Sequence, residues 1–270
     1  MGTSWAPSEP PAILEPYGYG LLAYDNRRGR EVLVASVRGS EVGETWEWDG
    51  RSWRRVATEH SPLMTGALGQ GQSAAYSPDL RAVVVQDFAH RPDYIKTWLF
   101  DGSDWTSIST AHQPDTLIFN GISSPTALQL EYDETRHSIV ALSIDDFRTW
   151  IFDGRDWTAL PINGPTPAIP LTRGVGVRQR PAAALDKQRD VWVFFGGFDG
   201  NTFYSDTWEG DGRVWTKLSP PTSPTGREEA QMAWDPIGHR MVLFGGWATL
   251  TGGLADTWAW NGTFWTNLAG

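Results

Sequence analysis

Thr45-Trp46-Glu47-Trp48-Asp49-Gly50-Arg51-Ser52-Trp53 decides the fold, because its frame of Thr-Trp, a turn dipeptide and a second tryptophan returns four more times. The later copies are Thr97-Trp98 with Trp105, Thr149-Trp150 with Trp157, Thr207-Trp208 with Trp215, and Thr257-Trp258 with Trp265. In every copy the two tryptophans stand seven residues apart. Between them comes Asp49-Gly50, Asp101-Gly102, Asp153-Gly154, Asp211-Gly212 or Asn261-Gly262. Asp-Gly and Asn-Gly tolerate positive φ at both central positions of a type I′ turn, so each copy predicts a tight hairpin between two short strands.

Two more strand-like runs precede each hairpin. In the last unit they are Gln231 to Trp234 and Met241 to Phe244, separated by Asp235-Pro236-Ile237-Gly238-His239-Arg240. The same plan gives Leu21 to Tyr24 and Val32 to Val34, Ala74 to Tyr76 and Val83 to Val85, Leu130 to Tyr132 and Ile139 to Leu142, and Ala182 to Leu185 and Val191 to Phe195. Each unit is thus four short strands, A to D. The spacing of 50 to 58 residues between Thr-Trp pairs suits a four-stranded propeller blade. The expected fold is all-β, a five-bladed β-propeller of four-stranded antiparallel blades, with blades near 17–57, 70–109, 124–161, 178–219 and 227–269. One domain over residues 1–270 is expected, since a periodic all-β ring reaches this length as one unit.

The resemblance is to the kelch repeat family. It rests on Val193-Phe194-Phe195-Gly196-Gly197 and Val242-Leu243-Phe244-Gly245-Gly246, then Asp206-Thr207-Trp208 and Asp256-Thr257-Trp258, then Trp215 and Trp265. It covers roughly residues 17 to 270 and implies a propeller, commonly one that binds a protein or small ligand. At the N-terminus, Trp5 is followed by Pro10-Pro11 as Trp215 is followed by Pro220-Pro221. Residues 1–16 therefore read as a D strand running into a loop, expected to add an outer strand to the last blade.

Composition narrows the function classes. A formal charge of -10 and a pI near 4.9 oppose a phosphate backbone, so nucleic acid is not an expected partner. No run of about 18 apolar residues and no visible signal peptide point away from a membrane, leaving the compartment unassigned with the cytoplasm favoured. A monomer is expected. The absence of cysteine excludes disulfides, thiolate metal sites and the tyrosine–cysteine copper chemistry that some kelch-like propellers carry. Sixteen tryptophans invite a carbohydrate-stacking reading, but ten are the repeated pairs and read as packing between blades.

The A–B and C–D turns are short and alike, whereas the B–C and D–A connections are long and dissimilar. Strands alternate direction, so the irregular connections share the rim opposite the regular turns, and binding residues concentrate on such loops. Around that rim and channel mouth the candidate catalytic residues are Asp87, Asp145, Glu229 and His90; the candidate ligand-binding residues are Tyr17, Tyr19, Gln72, Gln129, Arg180, Gln231 and Trp247. Where two blades carry Gly-Gly, the others carry Ala35-Ser36, Gln86-Asp87 and Ser143-Ile144, with Asp145-Asp146 following. Arg180 suits a carboxylate or phosphate with its planar fork, or pairs with Glu229, the matching position of the next blade. Arg178 and Arg227 read as structural; His60 and His112 read as surface residues. No metal site or cofactor is expected; calcium has weak support from Asp145-Asp146 or Asp199 and Asp206. Two functions stay open: a module binding a small molecule, glycan or protein at the mouth, or a small cofactor-independent cyclase, isomerase, lyase or hydrolase with a pocket there.

Overall fold

The structure is a computed structural model that describes residues 20–36, 40, 42–64, 73–87, 96–114, 117–119, 122–124, 128–144, 147–163, 178, 180–249 and 252–269. Among these residues every regular element is a strand. Blade 1 comprises β1 (Gly20–Asp25), β2 (Arg30–Ala35), β3 (Glu44–Trp48) and β4 (Trp53–Val56). Blade 2 comprises β5 (Ala74–Ser77), β6 (Ala82–Asp87), β7 (Lys96–Phe100) and β8 (Trp105–Ile108). A small hairpin of β9 (Leu117–Phe119) and β10 (Ile122–Ser124) follows. Blade 3 comprises β11 (Leu128–Asp133), β12 (Ser138–Ser143), β13 (Thr149–Phe152) and β14 (Trp157–Ala159). Blade 4 comprises β15 (Ala182–Asp186), β16 (Val191–Phe195), β17 (Thr207–Gly210) and β18 (Trp215–Leu218). In blade 5, β19 (Gln231–Asp235) and β20 (Arg240–Phe244) are followed by an inserted hairpin, β21 (Trp247–Thr249) and β22 (Gly252–Gly253), before β23 (Thr257–Trp260) and β24 (Trp265–Ala269). Each blade is a four-stranded antiparallel sheet with strands in sequence order, the five-bladed β-propeller expected from the repeat. The N-terminal segment lies outside the described residues.

The chain divides into two compact units. One holds residues 7–141 and 150–159, with blades 1 and 2 and most of blade 3; the other holds 142–149 and 160–270, with blades 4 and 5.

The C–D turns differ from the type I′ expectation. Trp48 pairs with Trp53, so four residues, 49 to 52, form the loop. Asp49 Oδ1 accepts the N–H groups of Arg51 and Ser52, each at 2.8 Å. Among the turn residues only the glycines take positive φ, from 86° at Gly212 to 106° at Gly102. The side chain at the first position closes the turn from within, as Asp and Asn do in Asx turns, and removes the need for a second left-handed residue. Asp101, Asp153, Asp211 and Asn261 repeat these two contacts. Asn261 substitutes freely because the role requires only an acceptor oxygen. The A–B turns use the same device through Asp25, Asp133, Asp186 and Asp235, with the Ser77 hydroxyl in blade 2.

Neighbouring blades are joined by a recurring contact. The indole N–H of Trp105 donates to Thr45 Oγ1 at 2.8 Å, Trp157 to Thr97 at 2.8 Å and Trp265 to Thr207 at 2.9 Å. These pairs are buried, where a hydrogen bond satisfies both groups and fixes the indole's orientation. Blade 4 departs from the rule. Where other blades place Trp48, Phe100, Phe152 or Trp260 against the D-strand tryptophan, blade 4 has Gly210. Phe147, at φ 61°, fills the space instead, 4.7 Å from Phe194 and 5.5 Å from Trp215. Trp215 Nε1 and Thr149 Oγ1 are left buried without hydrogen-bond partners.

Candidate functional site

Three chain segments meet at the start of blades 4 and 5. Arg180 and Glu229 stand two residues before β15 and β19, at equivalent positions, and both take positive φ, 51° and 57°. Left-handed backbone costs a residue with a Cβ roughly 1–2 kcal/mol, and such outliers cluster at functional sites. The Glu229 N–H donates to the Arg180 carbonyl at 2.8 Å, which links the two segments. Across the same gap the Arg180 guanidinium pairs with Glu229 Oε1 at 2.7 Å and approaches Glu228 Oε2 at 3.6 Å. The third segment is the inserted hairpin: Glu228 N–H donates to the Trp247 carbonyl at 3.0 Å, and Trp247 N–H to that of Glu228 at 2.8 Å. Trp247 thus begins a paired strand rather than lying in a free loop as its position after Gly245-Gly246 suggested. Its side chain stays 41% exposed.

Glu228 is the buried member of the group, and sequence reading passed over it. Its Oε2 has no hydrogen-bond partner, nor has Arg180 Nε. Burial pushes the Glu228 carboxyl above the usual carboxylate range; Arg180 opposes this and the Glu229 charge adds to it. An available signal was Glu228-Glu229 itself, since one of two consecutive acids beside a strand is turned inward.

The arginines two residues before Arg180 and Glu229 are held by the scaffold, although Arg178 Nε is itself buried without a hydrogen-bond partner. Arg178 forks onto Asp206 at 2.6 and 3.0 Å and reaches the Gly196 carbonyl at 3.1 Å. Arg227 repeats the pattern on Asp256 at 2.6 and 2.9 Å and on Gly245 at 2.9 Å. Trp208 and Trp258 donate to the same two carboxylates. Arg178 also lies 4.0 Å from the Tyr204 ring centroid. A cation buried with a bidentate carboxylate, a carbonyl and a ring is structural. Asp199 accepts from two backbone N–H groups and the Tyr204 hydroxyl, so the oxygens of Asp199 and Asp206 are already engaged.

The remaining candidates are not gathered here by the described structure. Tyr17, Tyr19, Gln72, His90 and Asp145 lie outside the described residues, and Asp87 ends β6 with its side chain likewise outside. Gln129 is half-buried in β11, in the other compact unit; Gln231 is exposed on β19. Gln86 pairs with Thr97 as Phe195 pairs with Thr207, so it holds the place just before Gly-Gly, one residue earlier than the sequence comparison put it, and is buried with both amide atoms unpartnered.

His60 and His112 tie their D–A connections to the next blade. His60 Nδ1 lies 2.8 Å from Asp104 Oδ2, and the N–H groups of Glu59 and His60 donate to Asp104 Oδ1 at 2.9 and 3.0 Å. His112 meets Asp156 in the same way. These connections, expected at the opposite ends of the blades, therefore touch C–D turns at residues 59–60 and 112. Glu59, His60 and Asp104 bring one ligand atom each within 4.8 Å of one another, on an exposed turn.

No protein-family model matches the chain, and no curated protein matches it. Among solved structures it is similar to TolB from Acinetobacter baumannii, with a TM-score of 0.52 and 11% identity over 92% of this chain and 53% of TolB. The chain spans about half the length of that β-propeller, and the likeness shows the fold alone.

Proposed function

We propose that this is a kelch-like binding propeller whose ligand site is the group formed by Arg180, Glu228, Glu229 and Trp247, and that the ligand is a neutral polyhydroxylated molecule, free or as a glycan. The kelch relationship draws on the double glycines with their Arg–Asp forks and on the recurring Asp-Thr-Trp phrase. The ligand reading is carried by one observation: Glu228 Oε2 and Arg180 Nε are buried without hydrogen-bond partners beside a 41% exposed indole. A buried unpaired polar atom is costly, so a ligand that satisfies it gains that stabilisation on binding. One hydroxyl donates to the carboxylate and accepts from the guanidinium N–H at once, which neither an ammonium nor a carboxylate does. The indole face offers apolar cover to sugar C–H groups. Two carboxylates against one guanidinium leave a net negative site, which disfavours anions. The reading requires no metal or cofactor.

An enzymatic reading is favoured by the raised Glu228 carboxyl, the condition a general acid needs near neutral pH. In that case Glu228 takes the role that sequence reading gave to Glu229. A thermal-shift panel of sugars, polyols, amines and organic acids tests the proposal. A saccharide at a hundred times its dissociation constant should add about 2.7 kcal/mol to stability. That gain should vanish in Glu228→Gln and Trp247→Ala. Stabilisation by amines or acids alone would refute the polyol reading.

A further inference from the structure

Gly196-Gly197-Phe198 stands in blade 4 where Gly245-Gly246-Trp247 stands in blade 5, and in each blade the aromatic residue begins a turned-back segment of the B–C connection. In blade 4 Phe198 bridges Phe203, and their half-buried rings stack with centroids 4.3 Å apart. Asp199 closes the turn between them by accepting the N–H groups of Asn201 and Thr202 at 2.8 and 2.7 Å, and its other oxygen takes the Tyr204 hydroxyl at 2.7 Å.

Both segments grip the chain that leads into β19. Arg227 N–H donates to the Tyr204 carbonyl at 3.1 Å and Gly197 N–H to the Arg227 carbonyl at 2.7 Å, while Glu228 exchanges two main-chain bonds with Trp247. Residues 227 and 228 thus bond to opposite sides, as extended chain does, and alternation sorts the side chains. Arg227 reaches Asp256 and the Tyr204 ring covers the Arg178 guanidinium, on one face. Glu228 with Trp247, and Phe203 with Phe198, therefore belong to the other face. The strands of Phe203 and Trp247 flank residues 227–228 and so lie two strand spacings, about 10 Å, apart, a gap wider than one sugar ring. Asp199 is the one charged residue among 198–203, and its oxygens are engaged in its own hairpin, so the stacked pair suits a neutral occupant.

We infer that the ligand is a glycan chain rather than a free polyol, with one sugar held by Arg180, Glu228 and Trp247 and a further sugar of the same chain lying on the Phe198–Phe203 pair. This rests on the polyol reading of the first site and adds a second subsite to it. An array presenting common sugars singly and in chains of increasing length, probed with the full protein and followed by calorimetry, tests it. A chain should bind about tenfold or more tightly than its single sugar, the scale of one covered ring face. Phe198→Leu keeps apolar volume but removes the ring, and should bring that ratio close to one. Phe203→Leu should do the same from the other ring, and melting temperatures of both variants show whether either has merely loosened the hairpin. Equal affinity for single sugars and chains would overturn the inference and leave the first site standing. A length advantage that survives in both leucine variants would also overturn it, because the extra contact would then lie elsewhere. Failure to bind any sugar, single or in a chain, would sink the first site and the second together.

Discussion

The C–D turns and the starts of the A strands are built from the same chain five times over, with opposite outcomes. Every C–D turn places a glycine at positive φ and an Asx side chain over two N–H groups. At the start of β15 and β19 the positive-φ positions carry Arg180 and Glu229 instead. Left-handed backbone alone does not mark a site, since the A–B turns also carry side chains at positive φ, at Arg81, His137, Asp190 and His239. What sets Arg180 and Glu229 apart is the buried carboxylate with an unpaired oxygen beside them.

The largest expected effect belongs to the repeated architecture. Trp157 is fully buried and bonded to Thr97, so Trp157→Ala should lower the unfolding free energy by about 3–5 kcal/mol in urea denaturation. Asp153→Ala removes one acceptor for two N–H groups in an exposed turn and should cost about 1–2 kcal/mol. Asp153→Asn should be nearly neutral, because Asn261 already does this work. Equal losses in the two variants would show that charge, not the acceptor, matters there. Arg180→Gly relieves left-handed strain while losing a half-exposed ion pair. These terms are each about 1 kcal/mol and opposed, so its melting temperature should stay close to the parent's while ligand binding disappears.

The smallest effect is a pH dependence. The hydrogen bond to Asp104 raises the His60 imidazole, and the same contact lowers Asp104 to about 2. The histidine's contribution is complete below its unfolded value of about 6.5 and fades as pH rises through its higher folded value. The aspartate's contribution is complete above about 4 and fades as pH falls toward 2. The His60–Asp104 contact is therefore strongest between about pH 4 and 6.5. His60→Ala should remove this small stability difference in that interval and change stability less once the imidazole is deprotonated at high pH.

What the sequence displayed depended on how local the cause was. The five four-stranded blades and the Arg180–Glu229 pairing follow from comparing equivalent positions along one chain. The turn type did not, although the seven-residue tryptophan spacing leaves room for a four-residue loop. The Asx contacts that select that loop are a side-chain matter that a dipeptide signature does not reveal. His60 reaching Asp104 spans 44 residues, and no local pattern announces it. Phe147 replacing the aromatic missing at Gly210 is a similar compensation across blades. Glu228 stands out only through the burial of its side chain, and the Glu228-Glu229 pair does not show in sequence which of its two members is the buried one.

Calorimetric titration of the best saccharide from the panel into the parent protein and into Glu228→Gln, with melting temperatures measured on the same samples, tests the central claim most directly. The account predicts saturable binding by the parent, at least a tenfold loss in the variant, and a melting temperature equal to or above the parent's, since a buried unpaired carboxylate has been removed. Undiminished binding by Glu228→Gln, or a fall in melting temperature matching the lost affinity, would contradict it and return Glu228 to the scaffold.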